Sequence, residues 1–314
     1  MGNLILALDF GGTKLAAGVA VQGERAWRGH TRVLSPPHTD AGHDRAAMLA
    51  MAKELLASER PAAVGVSFGG PVDYTTGIVR LSHHVPGWES TPLKQILETE
   101  FNAPAWVDND ANVAALGEYR FGAGQGADSM LYITVSTGVG GGWILNGRPW
   151  RGHAGMAGEI GHMVVDPHGP LCLCGKQGCV ERLASGPYIA SRAREVLALY
   201  PEGGRKLRVL VRNDLHAVDA KRVAEAAAQG DGLAWEVLSV AARALGVGIG
   251  NTANLINPQR FVLGGGVTKS GERFWEAVRR TAREIALPQV HFEIVPAALG
   301  DDAPLWGAVA LAGP

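Results

Sequence analysis

Cysteine is scarce in this sequence, and its scarcity restricts what can hold the fold together. The 314 residues include three cysteines, Cys172, Cys174 and Cys179, which all lie within one eight-residue window. An odd number of thiols cannot pair completely, and a reducing cytoplasm would not keep disulfides. A disulfide-built scaffold is therefore excluded, and the clustered thiols need another explanation.

An excess of charge of either sign is also absent. The chain carries 29 Lys and Arg against 30 Asp and Glu, which gives a formal net charge of −1. No strong field is available to recruit nucleic acid or an anionic membrane surface. We expect neither as a partner.

Long apolar runs are missing as well. The run Leu4–Leu8 meets Asp9 at once, has no basic residue ahead of it and is too short for the apolar region of a signal peptide. Leu6 occupies the position where an N-myristoylation motif needs Ser or Thr. No run approaches the ~18 residues of a membrane span. We expect a cytoplasmic protein.

The standard glycine-rich nucleotide motifs are not present, although glycine is abundant. No G-x-x-x-x-G-K-[ST] occurs, so the chain is not a P-loop protein. The stretch "GVGIGN" (246–251) lies in an apolar helical pattern rather than between a strand and a helix, and we reject it as a dinucleotide fingerprint. Yet the chain has 43 glycines, which cluster beside apolar strands where backbone can approach a ligand closely.

Two of these glycine clusters follow the same plan of strand, glycine turn and strand. The first spans residues 4–21 with the turn "DFGGTK", and the second spans 130–147 with the turn "STGVGGG". Backbone N–H groups and the Thr13 hydroxyl suit phosphate oxygens, and the Asp9 carboxylate suits Mg²⁺. Alone each turn is weak evidence, but the repetition predicts two similarly built halves that each present a phosphate-binding hairpin.

An acidic cluster follows another short strand, Ala105–Val107. "VDNDANVAA" places Asp108 and Asp110 where a helix over 111–119 begins, with Asn109 or Asp110 as its cap. Capping alone explains such residues. A carboxylate that accepts a hydroxyl proton during phosphoryl transfer would need the same position.

The cysteine pattern C-x-C-G-x-x-G-C points to zinc. Thiolates at the ends of glycine turns suit its tetrahedral sulfur and nitrogen ligation, and three thiolates with one imidazole would close the shell of a structural site. His162 is the nearest candidate for the fourth ligand, and His168 is its rival.

Taken together, these motifs resemble the ROK family of sugar kinases and repressors. The similarity covers essentially the whole chain through "LDFGGTK", "GGPVD", "VPGW", "DNDAN", "TGVGGG", "GEIGH", "CLCGKQGCVE" and "VLGGG". The resemblance implies an α/β fold of the two-domain actin/hexokinase-like (ribonuclease H-like) ATPase type with an interdomain cleft. We expect an N-terminal domain over 1–108, joined by a C-terminal helix at about 301–314, and a second domain over 109–300 that carries the zinc loop.

The resemblance also implies roles for individual residues. Asp110 would be the general base for the 6-hydroxyl of a hexose, and zinc would be held by His162, Cys172, Cys174 and Cys179. The implied sugar-binding residues are Gly69, Gly70, His84, Asn109, Asp110, Glu159, His162 and Glu181. The residues implied to bind ATP, with Mg²⁺, are Asp9, Gly11, Gly12, Thr13, Lys14, Thr137, Gly138, Gly140, Gly264, Gly265 and Gly266.

We therefore expect an ATP-dependent hexose kinase in carbohydrate metabolism, with glucose as the leading acceptor. Mannose, fructose, N-acetylmannosamine and N-acetylglucosamine stay open, because Phe68 and His84 depart from residues frequent in the family near the sugar. A non-catalytic, sugar-sensing ROK regulator and an actin-like ATPase are alternatives. Only eight residues precede Asp9, too few for the helix-turn-helix of the family's repressors. The family suggests a homodimer or homotetramer.

Overall fold

The computed structural model describes residues 2–82 and 84–313, which form twelve strands and ten α-helices. The strands are β1 Leu4–Phe10, β2 Lys14–Val21, β3 Trp27–Leu34, β4 Ala63–Phe68, β5 Val72–Asp73, β6 Ile78–Val79, β7 Ala105–Asn109, β8 Ser129–Val135, β9 Val139–Leu145, β10 Arg148–Trp150, β11 Arg260–Gly264 and β12 Glu293–Pro296. The helices are α1 Ala41–Leu56, α2 Leu93–Phe101, α3 Asp110–Phe121, α4 Val180–Ala184, α5 Gly186–Leu199, α6 Arg205–Leu210, α7 Ala220–Ala228, α8 Gly232–Ile256, α9 Glu272–Ile285 and α10 Ala303–Ala312.

Two five-stranded sheets share one plan. The first has the order β3-β2-β1-β4-β7 and the second has the order β10-β9-β8-β11-β12. In the first sheet the hairpin β1–β2 is antiparallel, with Leu8 opposite Ala17, and β4 and β7 then add in parallel. The α/β class is confirmed, and the matching strand orders explain why the glycine hairpin recurs in the sequence.

The chain forms two compact units. The first comprises residues 1–132, 142–157 and 297–314, and the second comprises 133–141 and 158–296. These units group 109–132 with the first sheet, whereas the sequence suggested a division at 108/109. That division of folding domains stays a prediction.

The core of the first unit is apolar and includes a cluster of aromatic rings. The ring of Trp88 meets Phe10 and Phe68 edge-on, at centroid distances of 5.3 Å and 4.9 Å. Phe68 is 2% exposed. Phe68, one of the two residues that depart from those frequent in the family, is thus part of this core.

Local side-chain bonds set where several helices begin. The Asn109 side chain accepts a hydrogen bond from the Ala111 N–H, which makes it the N-cap of α3. Asp219 caps α7 by accepting a hydrogen bond from the Arg222 N–H, and a 3₁₀ turn over Leu215–Ala217 comes just before it. Helices α2, α4, α5 and α6 were not predicted from the sequence.

Helix α8 contains the rejected "GVGIGN" stretch, and its glycines serve helix packing. A Cβ at Gly246 or Gly250 would lie 2.8 Å from a carbonyl oxygen of α9, Val278 O or Ala282 O. Helix α8 is also long and apolar enough to cross a membrane, but 56% of its most apolar window is buried inside the protein. The buried core helix of a folded domain passes the same test.

Candidate active site

Strand β1 of the first sheet carries a buried carboxylate, Asp9, near its C-terminal end. Its Oδ1 accepts a hydrogen bond of 2.8 Å from the Ser67 hydroxyl at the end of the neighbouring strand β4. Burial and, to a smaller extent, the negative charge of Asp110 raise the pKa of Asp9 to about 6, while the hydrogen bond from Ser67 acts to lower it. The two predicted carboxylates therefore lie close enough to influence each other.

The turn after β1 is compact and presents its backbone beside a histidine. The Gly11 N–H donates to the Lys14 carbonyl at 3.1 Å. A Cβ at Gly12 would lie 2.7 Å from Cδ2 of the exposed His84, so the imidazole rests on this turn. His84, predicted to bind sugar, thus contacts the predicted phosphate-binding turn.

Gly69 and Gly70 follow β4 in a tight backbone arrangement. The Gly69 N–H donates to the Phe10 carbonyl at 2.8 Å, and a Cβ at Gly70 would lie 2.6 Å from the Leu81 carbonyl. A residue with a side chain would not fit at Gly70, because its Cβ would overlap with the Leu81 carbonyl.

Asn109 and Asp110 lie where β7 passes into α3. The Asn109 amide nitrogen donates to the Gly70 carbonyl at 3.2 Å, which ties the acidic segment to the glycine pair. Burial raises the pKa of Asp110 to about 6, while the Ala111 N–H, Asn109 and the charge of His84 lower it. A carboxyl with this pKa is largely ionised at neutral pH and basic enough to accept a proton.

The sequence placed the neighbouring Asp108 with Asp110 at the start of a helix, but it did not single out Arg151 or Tyr74. Asp108 is 3% exposed, and its Oδ2 receives the Arg151 Nε–H at 2.7 Å. The guanidinium carbon of Arg151 lies 3.5 Å from the centroid of the Tyr74 ring. No local pattern links these three residues, since they come from distant parts of the chain.

In the second unit, the glycine turn between β8 and β9 is bound to Glu181. Glu181 Oε2 accepts a hydrogen bond of 2.9 Å from the Val139 N–H and lies 2.7 Å from where a Gly138 Cβ would be. One oxygen of this predicted sugar-binding carboxylate therefore holds the predicted phosphate turn, beside the exposed Thr137.

The third glycine cluster follows β11. Gly265 has a φ of 90°, and a Cβ there would lie 2.4 Å from the Val135 carbonyl of β8. Only glycine permits both the left-handed backbone and this close approach. Gly264 is buried at the end of β11, and Gly140 lies in β9.

A cavity of about 850 Å³ opens in the second unit beside these turns. Its lining is largely apolar and includes Pro187, Val267 and three alanines of α7. Thr137 adds a polar side chain, and Gly266 adds backbone. The segments around 186–190 and 219–228 were not singled out from the sequence, because alanine-rich helices carry no functional signature.

The predicted zinc ligands meet in one place. A ring nitrogen of His162 and the sulfur atoms of Cys172, Cys174 and Cys179 all lie within 4.8 Å of one another. His162 Nδ1 is buried with no hydrogen-bond partner among the described residues, as expected of an atom that faces a metal. The rival His168 is not part of the group.

Glycine turns shape this cluster. The Cys172 N–H donates to the Lys176 carbonyl at 2.7 Å, and Gly175 and Gly178 adopt φ values of 85° and 64°. A backbone hydrogen bond from Lys176 lowers the pKa of the Cys174 thiol to about 7. The exposed Glu159, also predicted to bind sugar, accepts the His162 N–H through its carbonyl at 3.0 Å.

Comparison with known proteins assigns the chain to a family. The model of the ROK family matches residues 5–313. A glucokinase of Streptomyces coelicolor is 33% identical over 313 residues, covering 99% of this chain and 98% of that protein. A glucokinase of Halalkalibacterium halodurans is 42% identical over 252 residues, covering 78% of this chain and 74% of the relative.

A solved structure agrees with this assignment. The ROK family glucokinase from Streptomyces griseus in complex with glucose and AMPPNP superposes with a TM-score of 0.84 and 38% identity, covering 99% of each chain. The actin/hexokinase-like two-domain fold is thereby confirmed. The chain belongs to the ROK family.

Proposed function

We propose that this chain is an ATP-dependent hexose kinase that transfers the γ-phosphate of ATP to the 6-hydroxyl of glucose. The observation that carries the proposal is the carboxyl of Asp110, held at the start of α3 with its pKa raised to about 6. The relatives named above are glucokinases, and one of them was solved with glucose and an ATP analogue.

In this reaction Asp110 acts as the general base. Its carboxylate accepts the proton of the 6-hydroxyl while that oxygen forms a bond to the γ-phosphorus and the bond from phosphorus to the ADP oxygen breaks. The Asn109 side chain is anchored on the Gly70 carbonyl and on α3, and we propose that it holds a neighbouring sugar hydroxyl. Gly69, Gly70, His84, Glu159, His162 and Glu181 are the further sugar-binding residues that we propose.

The glycine turns are the proposed phosphate sites. In the first unit these sites are the backbone of the turn at 11–14, the Thr13 hydroxyl and the Lys14 ammonium. In the second unit they are Thr137, Gly138 and Gly140. Mg²⁺ bound with ATP neutralises charge on the phosphates, and the carboxylate of Asp9 has the oxygen chemistry to hold it, directly or through water.

We assign the adenosine of ATP to the cavity of about 850 Å³ in the second unit. Its apolar walls suit a purine, and Gly264, Gly265 and Gly266 bring backbone to its edge, where Gly266 is part of the lining. A nucleotide held there lies beside Thr137, which continues into the phosphate turn.

We further propose a structural zinc at His162, Cys172, Cys174 and Cys179. Four ligands of this type close a tetrahedral shell and leave no position for substrate. The site would order the segment that carries His162 and Glu181. From the family resemblance we also propose a cytoplasmic homodimer or homotetramer that feeds hexose into glycolysis.

A coupled ADP-release assay tests the function. The purified chain is supplied with ATP, Mg²⁺ and one of glucose, mannose, fructose, N-acetylglucosamine or N-acetylmannosamine. The expected result is turnover with glucose at the highest kcat/KM. A preference for another hexose would support the kinase activity and would show that this hexose, rather than glucose, is the acceptor. No turnover on any sugar by zinc-loaded, folded protein would favour the sugar-sensing regulator, and sugar-independent ADP release would favour an ATPase.

A further inference from the structure

The guanidinium of Arg151 lies between two side chains from other parts of the first unit. It donates from Nε to Asp108 Oδ2 at 2.7 Å and stacks on the Tyr74 ring at 3.5 Å. The Arg151 side chain is 18% exposed and that of Asp108 is 4% exposed. Ion pairs of this kind differ from surface pairs, because water screens them little.

Asp108 transmits this contact to the proposed active site. Its Oδ1 accepts the backbone N–H of Asn109 at 2.8 Å and the side-chain amide of Asn112 at 3.3 Å. The carboxylate is therefore bonded at both oxygens, on one side to Arg151 and on the other to the backbone that carries Asn109 and Asp110. The position of that backbone decides where the proposed base lies.

The burial of Asp108 makes the arginine necessary. A buried carboxylate without a partner is strongly disfavoured, and it gains stability only when charged and hydrogen-bonding groups surround it. Loss of the guanidinium would leave a negative charge two residues from Asp110, and the Asp108 side chain would turn toward water. The N–H of Asn109 would then lose its acceptor.

Tyr74 completes the arrangement from a third segment. It follows β5, whose first residue comes two positions after Gly70. The stacked ring fixes the plane of the guanidinium, so that Nε points at Asp108 rather than at solvent. The contact of Tyr74 with Arg151, together with the bond of Arg151 to Asp108, thus links the segment that follows Gly70 to the segment that precedes Asp110.

We propose that Arg151 is a positioning residue for phosphoryl transfer, which holds Asn109 and Asp110 in their working geometry through Asp108. The inference rests on the proposed kinase function. It does not require Arg151 to touch either substrate.

Four variants test it: Arg151→Met, Arg151→Lys, Arg151→Met combined with Asp108→Asn, and Arg148→Met. The last is the matched control, because Arg148 is an exposed arginine three residues earlier. For each we would measure kcat, KM for glucose and for ATP, glucose affinity by calorimetry and the thermal midpoint.

We expect R151M to lower kcat/KM for glucose about 10- to 100-fold, since small displacements of reacting groups cost this much. KM for ATP should stay within about twofold, because the ATP groups lie elsewhere. R151K, which keeps a cation, should recover part of the loss. The double variant should recover more than R151M, because the Asn amide oxygen still accepts the Asn109 N–H and no charge stays unpaired. R148M should match the unmodified protein.

Unchanged glucose kinetics in a folded R151M would overturn the inference while the kinase function stands. Equal losses in all Arg151 variants, including the double variant, with a lowered thermal midpoint would show a structural role only. If R151M does not fold, R151K and the double variant decide between these results. If the unmodified protein phosphorylates no hexose, the proposed function fails first and the inference fails with it.

Discussion

At the scale of single residues, Asp9 and Asp110 are two carboxyls whose pKa values are both raised to about 6, mainly by burial. The sequence identified both positions from their place after apolar strands. Their burial, and the effect of the Asp110 charge on the pKa of Asp9, cannot be read from the sequence. Those properties determine the protonation of both groups near neutral pH.

Asp110→Asn should remove the proposed base while leaving sugar binding nearly intact. We expect kcat to fall about 10²- to 10⁴-fold, the usual contribution of a general base, with glucose affinity within a few-fold. In the unmodified protein kcat/KM should fall as pH drops below about 6, because Asp110 takes up a proton there. Steady-state kinetics over pH 5–9 and calorimetry measure both effects. Substantial turnover by D110N would remove Asp110 from the mechanism.

Asp9→Asn should stabilise the folded chain above pH 6. The pKa of Asp9 rises from 3.8 to about 6 on folding, so the folded state binds the proton more tightly, and its stability falls as pH rises through this range. The amide can still accept the Ser67 hydroxyl. Urea unfolding at pH 7.5 should show a gain of about 1–3 kcal/mol in free energy of unfolding.

The gain from D9N should vanish at pH 4, where Asp9 is protonated in the folded state. An equal gain at both pH values would mean that burial of the charge is not its cause. The same variant should lose turnover, since it lacks the proposed Mg²⁺ ligand.

At the scale of elements, the segment from His162 to Glu181 has little regular structure of its own. It runs from the end of a 3₁₀ turn at His162 to the start of the short helix α4 at Val180, with isolated bridges at Val164–Cys179 and Leu171–Gln177 between them. A segment with so few ladder bonds needs another source of order, which the proposed zinc provides.

Cys172→Ser should therefore lose zinc and lower the thermal midpoint. We expect about one zinc per unmodified chain by metal analysis and far less in C172S. His168→Ala is the control, because His168 lies outside the ligand group, and it should keep its zinc. Zinc retained by C172S, or lost by H168A, would refute the proposed ligand set.

At the scale of the whole molecule, the end of the chain returns to the first unit. Helix α10 packs against α3 and β4 through glycine contacts. A Cβ at Gly307 would lie 1.8 Å from the Val113 carbonyl, and one at Gly65 would lie 1.9 Å from the Ala308 carbonyl. Backbone meets backbone at both points, so the contacts cannot be relieved by turning a side chain.

Gly307→Ala should accordingly destabilise the protein. We expect a loss of about 1–3 kcal/mol in free energy of unfolding, the usual cost of overpacking a core contact. Gly232→Ala is the control, because no atom lies within 4 Å of its added Cβ. Equal stability of the two variants in urea unfolding would argue against the close approach of α10 to α3.

The sequence by itself determined what depends on neighbouring residues. The hairpin turns, a helix cap at Asn109 or Asp110 and the grouping of three cysteines with glycines all follow from short-range spacing, and their motifs were enough to recognise the family. They also placed Asp9 and Asp110 at strand ends, because apolar runs and the polar residues that end them are adjacent in the chain.

Only the tertiary structure decided the contacts between distant segments. Arg151 meets Asp108 across 43 residues, Glu181 meets Val139 across 42, and α10 meets α3 across most of the chain. Nothing in the local pattern of an arginine or a glutamate selects its partner, since either could equally face solvent. Packing of the sheets and helices makes that selection, and with it the burial that raises the pKa of Asp9 and Asp110.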